Sequence, residues 1–245
     1  MDTKADELTP GRSVAGGLAQ RAYEELEEQI VTLQIPPSTF ISEMGLSKNL
    51  GIGRTPIREA LLRLAYEGLV VIIPRRGIFV TEIDVDEHFR MLEFRRDVER
   101  LAVRLACSRI TDQECSTLRK IATEIEAAGR NNDATQFIRL DQRMDWLIYE
   151  AARNKFVTKA LRSMSSLNRR FWFRFQRQVV DVPRCATLHA EIAQSVASRD
   201  VGAATHQLAN LLDYIEEMTH ASVGSHSHGN RLSRNSTRPD TPDLD

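Results

Sequence analysis

The sequence predicts a mainly α protein: an N-terminal winged helix-turn-helix followed by an all-α antiparallel helical bundle. Three observations carry that expectation. Apolar residues recur every three or four positions along most of the chain. Two helical segments are joined by the tight run Gly51-Ile52-Gly53 and followed by a β-branched hairpin, and from Asp84 to Ala221 there is one proline, Pro183, with only Gly129 and Gly202 as glycines. The 245 residues divide into a helix-turn-helix domain at 17–82 and an all-helical domain at 83–221, with polar tails at 1–16 and 222–245 expected to be disordered.

Leu18, Ala22, Leu26, Ile30 and Leu33 line one face of the first helix, and Glu24, Glu25, Glu27 and Glu28 make another face acidic. Pro36 and Pro37 bar its continuation. Ser42 is the expected N-cap of a second helix reaching Leu50, and a third runs from about Thr55 to Glu67, with Pro56 in its first turn and Gly68 as its stop. Leu69 to Ile73 and Ile78 to Thr81 then form a hairpin around Pro74-Arg75-Arg76-Gly77. Six further helices are expected at about 84–109, 111–129, 132–152, 154–178, 184–198 and 200–220. In the first of them Met91, Phe94, Arg95, Val98, Leu101, Ala102 and Leu105 give a wide stripe, and helices so patterned must bury one another's apolar faces.

Composition excludes several classes. Hydrophobic residues are 42% and charged residues 27%, the balance of a globular chain. No 18-residue apolar run exists, and the N-terminal stretch has no apolar core of a signal peptide, so a cytoplasmic protein without membrane segments is expected. Cys107, Cys115 and Cys185 are too scattered for a disulfide framework or a zinc site. The absence of a nucleophile constellation, a P-loop or a Gly-rich phosphate fingerprint argues against an enzyme.

A net charge of -1 hides a local imbalance. Residues 44–80 carry Lys48, Arg54, Arg58, Arg63, Arg75 and Arg76 against Glu59 and Glu67, a net of +4, which is the footprint a phosphate backbone requires. Arg54 and Arg58 lie one turn apart at the start of the third helix, where base edges are read. An Arg fork on guanine contributes about 1 to 3 kcal/mol of discrimination, against about 0.3 to 0.5 kcal/mol for an exposed helical ion pair. Thr55 reads as a phosphate contact or cap, and Arg75, Arg76 and Gly77 as a wing tip that approaches a phosphate or the minor groove. Any one of these arginines alone reads as solvated surface; it is their placement together that points to DNA.

Residues 18–81 resemble the winged helix of GntR-type bacterial transcription regulators. The likeness rests on Ile35-Pro36-Pro37, Ile41-Ser42-Glu43, Leu46, the run from Gly51 to Leu61 containing RTPIREAL, Leu64, Glu67-Gly68-Leu69-Val70 and Arg76-Gly77-Ile78-Phe79-Val80. The helical remainder resembles the FCD ligand-binding domain of the FadR subfamily. The resemblance implies a homodimeric repressor or activator on a palindromic double-stranded DNA operator, controlled by a small metabolite, often an organic acid. Two positions depart from the pattern: Ser38 stands where the family usually has Gly, and Gly53 where it usually has Ser or Thr, which removes a cap or phosphate contact.

The same resemblance implies a divalent metal held by one Asp and three His. Asp141 and Asp145 match the first pair and His189 the next position, but Leu211 stands at the fourth and cannot ligate. Two carboxylates and one imidazole favour harder ions such as manganese or magnesium. The alternative is that Asp141 and Asp145 are helix residues paired with arginines and His189 is an interior histidine. Arg169 to Arg177 is a second candidate, with four arginines, four aromatics and no acid. Either its aromatics are core and its arginines solvated, or Arg170 or Arg174 clamps an anionic, carboxylate-type effector. Arg95, at the family's usual arginine position, is a further effector contact implied by the resemblance. A DNA-binding protein whose bundle is only a dimerisation scaffold is the competing reading.

Overall fold

The computed structural model describes residues 11–176 and 180–232. The outer parts of both expected tails, and Arg177, lie outside them. Helix α1 (Gly11–Val31) is followed by strand β1 (Phe40–Ile41), α2 (Glu43–Leu50), α3 (Arg54–Tyr66), β2 (Val70–Ile73) and β3 (Gly77–Val80). The strands form one antiparallel sheet in the order β1-β3-β2, with Phe40 opposite Phe79 and Val71 opposite Phe79 on the other side. β1 escapes a sequence reading because two residues cannot display alternation.

Ser42 caps α2 by accepting from the Gly45 amide at 3.1 Å, and Gly51 ends it in the left-handed conformation at φ 64°. Gly53 occupies the N-cap of α3 and supplies no side-chain hydrogen bond there. Ala22, Leu26 and Ile30 of α1 pack with Leu46, Ile57, Leu61, Leu64, Leu69, Ile78 and Val80 in one core. Ser38, the other departure from the family pattern, holds the left-handed backbone at φ 63° that a glycine would adopt without strain.

The second half contains α4 (Val85–Arg109), α5 (Asp112–Arg130), α6 (Ala134–Ala151), α7 (Lys155–Phe171) with a π-helical extension Trp172–Gln176, α8 (Val182–Ala197) and α9 (Val201–Leu232). Two boundaries differ from expectation at the ends. Helix α1 begins at Gly11 and α9 runs through Leu232, because each residue added to an existing helix gains a hydrogen bond without a new nucleation cost.

A third difference concerns α7. Residues up to Asp84 group with Ser163–Phe173 in one compact unit, and Val85–Arg162 group with residues from Arg174 onward in the other, so the sequence boundary at 82 misses a segment of the first unit. Leu167 joins the core of that unit. Arg169 donates to Glu27 at 2.9 Å and Glu28 at 3.0 Å, and Arg170 donates to the Thr81 hydroxyl at 3.0 Å and to the Thr81 and Glu82 carbonyls at 3.2 Å. Arg170 therefore fastens the end of β3, a structural use that stands beside its expected effector role.

Within the second unit α5 packs tightly on α8 at Gly129, where an added Cβ would lie 2.6 Å from the Ala186 Cβ. Gly129→Ala should therefore destabilise the protein by about 1 to 3 kcal/mol, although alanine in a helix interior is otherwise favoured by about 1 kcal/mol. Urea unfolding measures the balance, and an unchanged or higher midpoint would show that the two helices have slack.

Candidate functional site

At the start of α3, Arg54 and Arg58 are exposed, with 68% and 59% of their side-chain surface open, and both turn toward Glu43 in the first turn of α2. Arg58 Nε and Nη2 donate to the two Glu43 carboxylate oxygens at 3.1 and 2.8 Å, and Arg54 Nη2 lies 3.7 Å away. The hydrogen bond from Arg58 holds the Glu43 carboxyl below its ordinary range. Glu43 lies one residue before the basic window and one after the cap Ser42, and no spacing rule pairs it with Arg58 across α2 and α3. Thr55 is exposed beside the two arginines.

Arg63 does not belong to this face. It stacks over the Tyr23 ring at 3.5 Å and bonds to Glu67 and Gln20, so part of the +4 window is paired within its own domain. At the wing, the Arg76 amide donates to the Ile73 carbonyl at 3.1 Å, with Pro74 and Arg75 at the corners and Arg75 at φ 64°. Positive φ at the third position of a β-turn is a glycine preference. Arg75 and Arg76 are both exposed. Gly77, at φ 109°, would with a Cβ meet the Ile41 carbonyl oxygen at 3.1 Å, so the glycine is demanded by β1 as well as by the turn.

Six residues of the helical domain bring their charges together. Arg95 Nε donates to Glu99 Oε1 at 2.7 Å, and the Tyr149 hydroxyl reaches the same oxygen at 3.4 Å. His189 Nδ1 donates to the Cys185 carbonyl at 2.7 Å, which leaves Nε2 facing Asp141 Oδ1 at 3.1 Å. Burial opposes the charge on His189, yet Asp141 outweighs it and raises the imidazole well above its ordinary value. Burial, then Asp141 and Glu99, push the Asp145 carboxyl well above the carboxylate range. Burial also works against Arg95, while Glu99, Tyr149 and Asp145 hold its guanidinium charged. The cluster balances when His189 carries its proton and Asp145 keeps its own.

Among the described residues no three His, Cys, Asp or Glu side chains are grouped so as to hold a metal ion. Asp141 and His189 satisfy each other, Asp145 joins them electrostatically, and Leu211 is buried apolar surface. This donor set falls short of the expected centre. Arg174 is exposed and lies over the Phe175 ring at 5.2 Å.

Residues 18–80 match the family described as bacterial regulatory proteins, gntR family, and residues 90–214 match the FCD domain. The chain belongs to the GntR family. It is 34% identical over 135 residues to the Nta operon transcriptional regulator of Aminobacter aminovorans, a match covering 55% of this chain and 64% of that protein. With the HTH-type transcriptional repressor RspR of Escherichia coli it shares 26% identity, over 81% of this chain and 87% of the relative. It also matches a Bacillus subtilis HTH-type regulator, YdhC, at 32% identity over 59% of this chain; the chain thus spans slightly under two thirds of the Nta regulator and of YdhC, at 64% and 65%. The fold is that of E. coli McbR/YncC, with a TM-score of 0.73 at 18% identity, covering 83% of this chain and 97% of that one.

In the FCD domain of this GntR protein, sequence reasoning passed over Glu99, Tyr149 and His88. Glu99 lies one helical turn from Arg95, a spacing that pairs opposite charges and was available to read. His88 is buried on the same helix, and burial followed by the Arg95 charge pushes its imidazole down to about 3. The native state therefore holds His88 neutral where the unfolded chain binds a proton below about pH 6.5. More protons bound when unfolded means stability that falls with falling pH. Between pH 6.5 and 3 His88 therefore lowers the stability of the FCD domain, while Asp145, which keeps its proton in the native state, works the other way. Urea titrations should find His88→Gln gaining on the wild type as the pH falls through that window, and a constant difference between the two proteins would assign the acid sensitivity elsewhere.

Proposed function

We propose that this GntR-family chain is a sequence-specific DNA-binding transcriptional repressor that acts in the cytoplasm as a homodimer on a palindromic operator and answers to a small metabolite in its FCD domain. The observation that carries the reading is the pair of exposed guanidinium groups, Arg54 and Arg58, at the first turn of α3. Their present partner, Glu43, is one solvent-facing carboxylate shared by two arginines, and exposed ion pairs contribute about 0.2 to 1 kcal/mol. A guanine fork contributes about 1 to 3 kcal/mol of discrimination. Exchange of Glu43 for a base edge is thus favoured by the right sequence and not by a wrong one. Thr55, Arg75, Arg76 and Gly77 serve the phosphates and the groove beside it.

Arg54→Ala and Arg58→Ala should relax discrimination between operator and unrelated DNA by about tenfold or more each. Arg75→Ala and Arg76→Ala should weaken all sequences alike and lower the salt slope by about one per charge removed. Competition binding at several salt concentrations separates the two patterns. Unchanged operator protection by both α3 variants would remove the assignment.

The Arg95 cluster supports an effector site of the carboxylate-binding kind, with Asp141, Asp145 and His189 around it. An anionic effector there competes with Glu99 for Arg95 and shifts the population of DNA-compatible dimers. The scaffold reading is favoured by one fact, that Glu99 already neutralises Arg95. Metal binding by Asp141, Asp145 and His189 is the other use of the cluster, favoured by the Nδ1 bond to Cys185, since such a bond orients an imidazole for ligation. A thermal-shift panel of carboxylates and divalent ions, with an ion count on unchelated protein, tests all three. A native-state ligand at a hundred times its Kd stabilises by about 2.7 kcal/mol. A shift with a carboxylate that Arg95→Ala abolishes supports the effector, a stoichiometric ion lost in Asp141→Ala supports the metal, and neither supports the scaffold.

A further inference from the structure

The FCD domain leaves one apolar line of the stripe on α4 uncovered. Phe94 and Leu101 are 48% and 40% exposed and lie seven residues apart, two turns along one side of the helix, with the half-buried Val98 and Leu105 beside them. The inner side of α4 is committed to its neighbours: Leu92, Ala102, Val103 and Ala106 are buried, and Arg96 bonds to Asp213 and Glu216 of α9. What remains outside is a ridge about 37 Å long, from 25 helical residues.

The charges along that ridge are sorted by half. Its exposed positions before Val98 are Asp86, Glu87, Arg90, Glu93 and Asp97, and those after it that carry charge are Arg100, Arg104 and Arg109. One half is net acidic by three charges and the other net basic by three. The helix dipole accounts for acids in the first turn and a base in the last, so for Asp86, Glu87 and Arg109. It does not reach Glu93, Asp97, Arg100 and Arg104 in the middle of a helix of this length, where Arg100 meets Asp97 of its own helix at 2.9 Å in a pair open to solvent. Like halves repel, which excludes a parallel copy, and an antiparallel copy sets each acidic half against a basic one. A two-fold axis through the middle of the helix, between Asp97 and Val98, also places Phe94 against Leu101 of the second chain, twice.

We propose that the outer ridge of α4 is the self-association surface of this protein, on which a second copy docks antiparallel through Phe94 and Leu101, with Glu93 and Asp97 facing Arg100 and Arg104 of the other chain. This rests on the dimeric reading given above and names its surface. Such an interface is isologous, the same patch on both subunits. Interfaces of this kind bury their apolar centre and take their register from the charged rim.

Reversing half of the charges tests the arrangement in the full chain without DNA. Glu93→Arg with Asp97→Arg makes the central charges all basic, and Arg100→Glu with Arg104→Glu makes them all acidic. All four positions are exposed, and circular dichroism checks that each variant keeps its helices. By sedimentation, each double variant alone should dimerise about a hundredfold more weakly or worse, as juxtaposed like charges dictate. Mixed in equal amounts they should recover the dimer, and so should one chain carrying all four reversals. Orientation is read by cysteines. Phe94→Cys with Leu101→Cys in one chain should give a covalent dimer on oxidation, because within a chain the two positions are about 10.5 Å apart and beyond disulfide reach. Neither single cysteine variant should cross-link. Cross-linking by the single variants would overturn the antiparallel arrangement. Dimers untouched by either reversal would overturn this surface while leaving a dimeric protein, and a monomeric wild-type chain would overturn both, with recognition of a half-site still measured by the α3 variants.

Discussion

A buried guanidinium must be met by a carboxylate or by several carbonyls, because its desolvation otherwise costs several kcal/mol. That requirement distributes the arginines of this chain. Arg95 is buried and has Glu99; Arg169 is largely enclosed and has Glu27 and Glu28; Arg170 is buried and has the hydroxyl and carbonyl of Thr81 and the carbonyl of Glu82. Each bond ties together residues far apart in sequence or fixes one turn of a helix. Among the arginines on the outside are those at the start of α3 and at the wing. Surface that needs no internal anion is what a polyanion can use.

Glu43 complicates that division in an informative way. It is a partly exposed acid set beside two arginines on a face otherwise basic, and it keeps them from being interchangeable with any other positive patch. A phosphate alone has to compete with it, whereas a guanine offers two acceptors in the guanidinium plane. Under the proposed function, an acid on this face lowers affinity for random DNA, and specificity is a difference between two affinities.

Much of the fold was legible in the residues. Leu18 to Ile30 at three- and four-residue spacing, the Gly51 turn and the run of branched residues around Pro74 located α1, α2, α3 and the hairpin, and sparse prolines announced the helices that follow. What escaped was non-local. No period marks Phe40-Ile41 as a strand, since its partner lies 37 to 39 residues further on. The aromatic and arginine run of α7 left an anion clamp open beside a solvated basic face, because its charge was visible and its partners, Glu27, Glu28 and the end of β3, were not. In the cluster around Arg95, Asp141, Asp145 and His189 were found by likeness of pattern. The bond from His189 to Asp141 depended on a distance that no spacing rule supplies across α6 and α8, whereas Arg95 and Glu99 stood one helical turn apart on α4 and could be read as a pair.

The wing turn has a consequence for laboratory evolution. Arg75 holds a backbone conformation in which glycine is at ease and an arginine is strained by about 1 kcal/mol or more. A selection that rewards only heat resistance would find glycine at this position attractive, and each generation so enriched would hold its fold better while losing a charge from the wing. Under the proposed function, stability and recognition pull in opposite directions at that one residue. A thermostable descendant of this protein should have its wing sequence inspected before its silence on DNA is blamed on anything else.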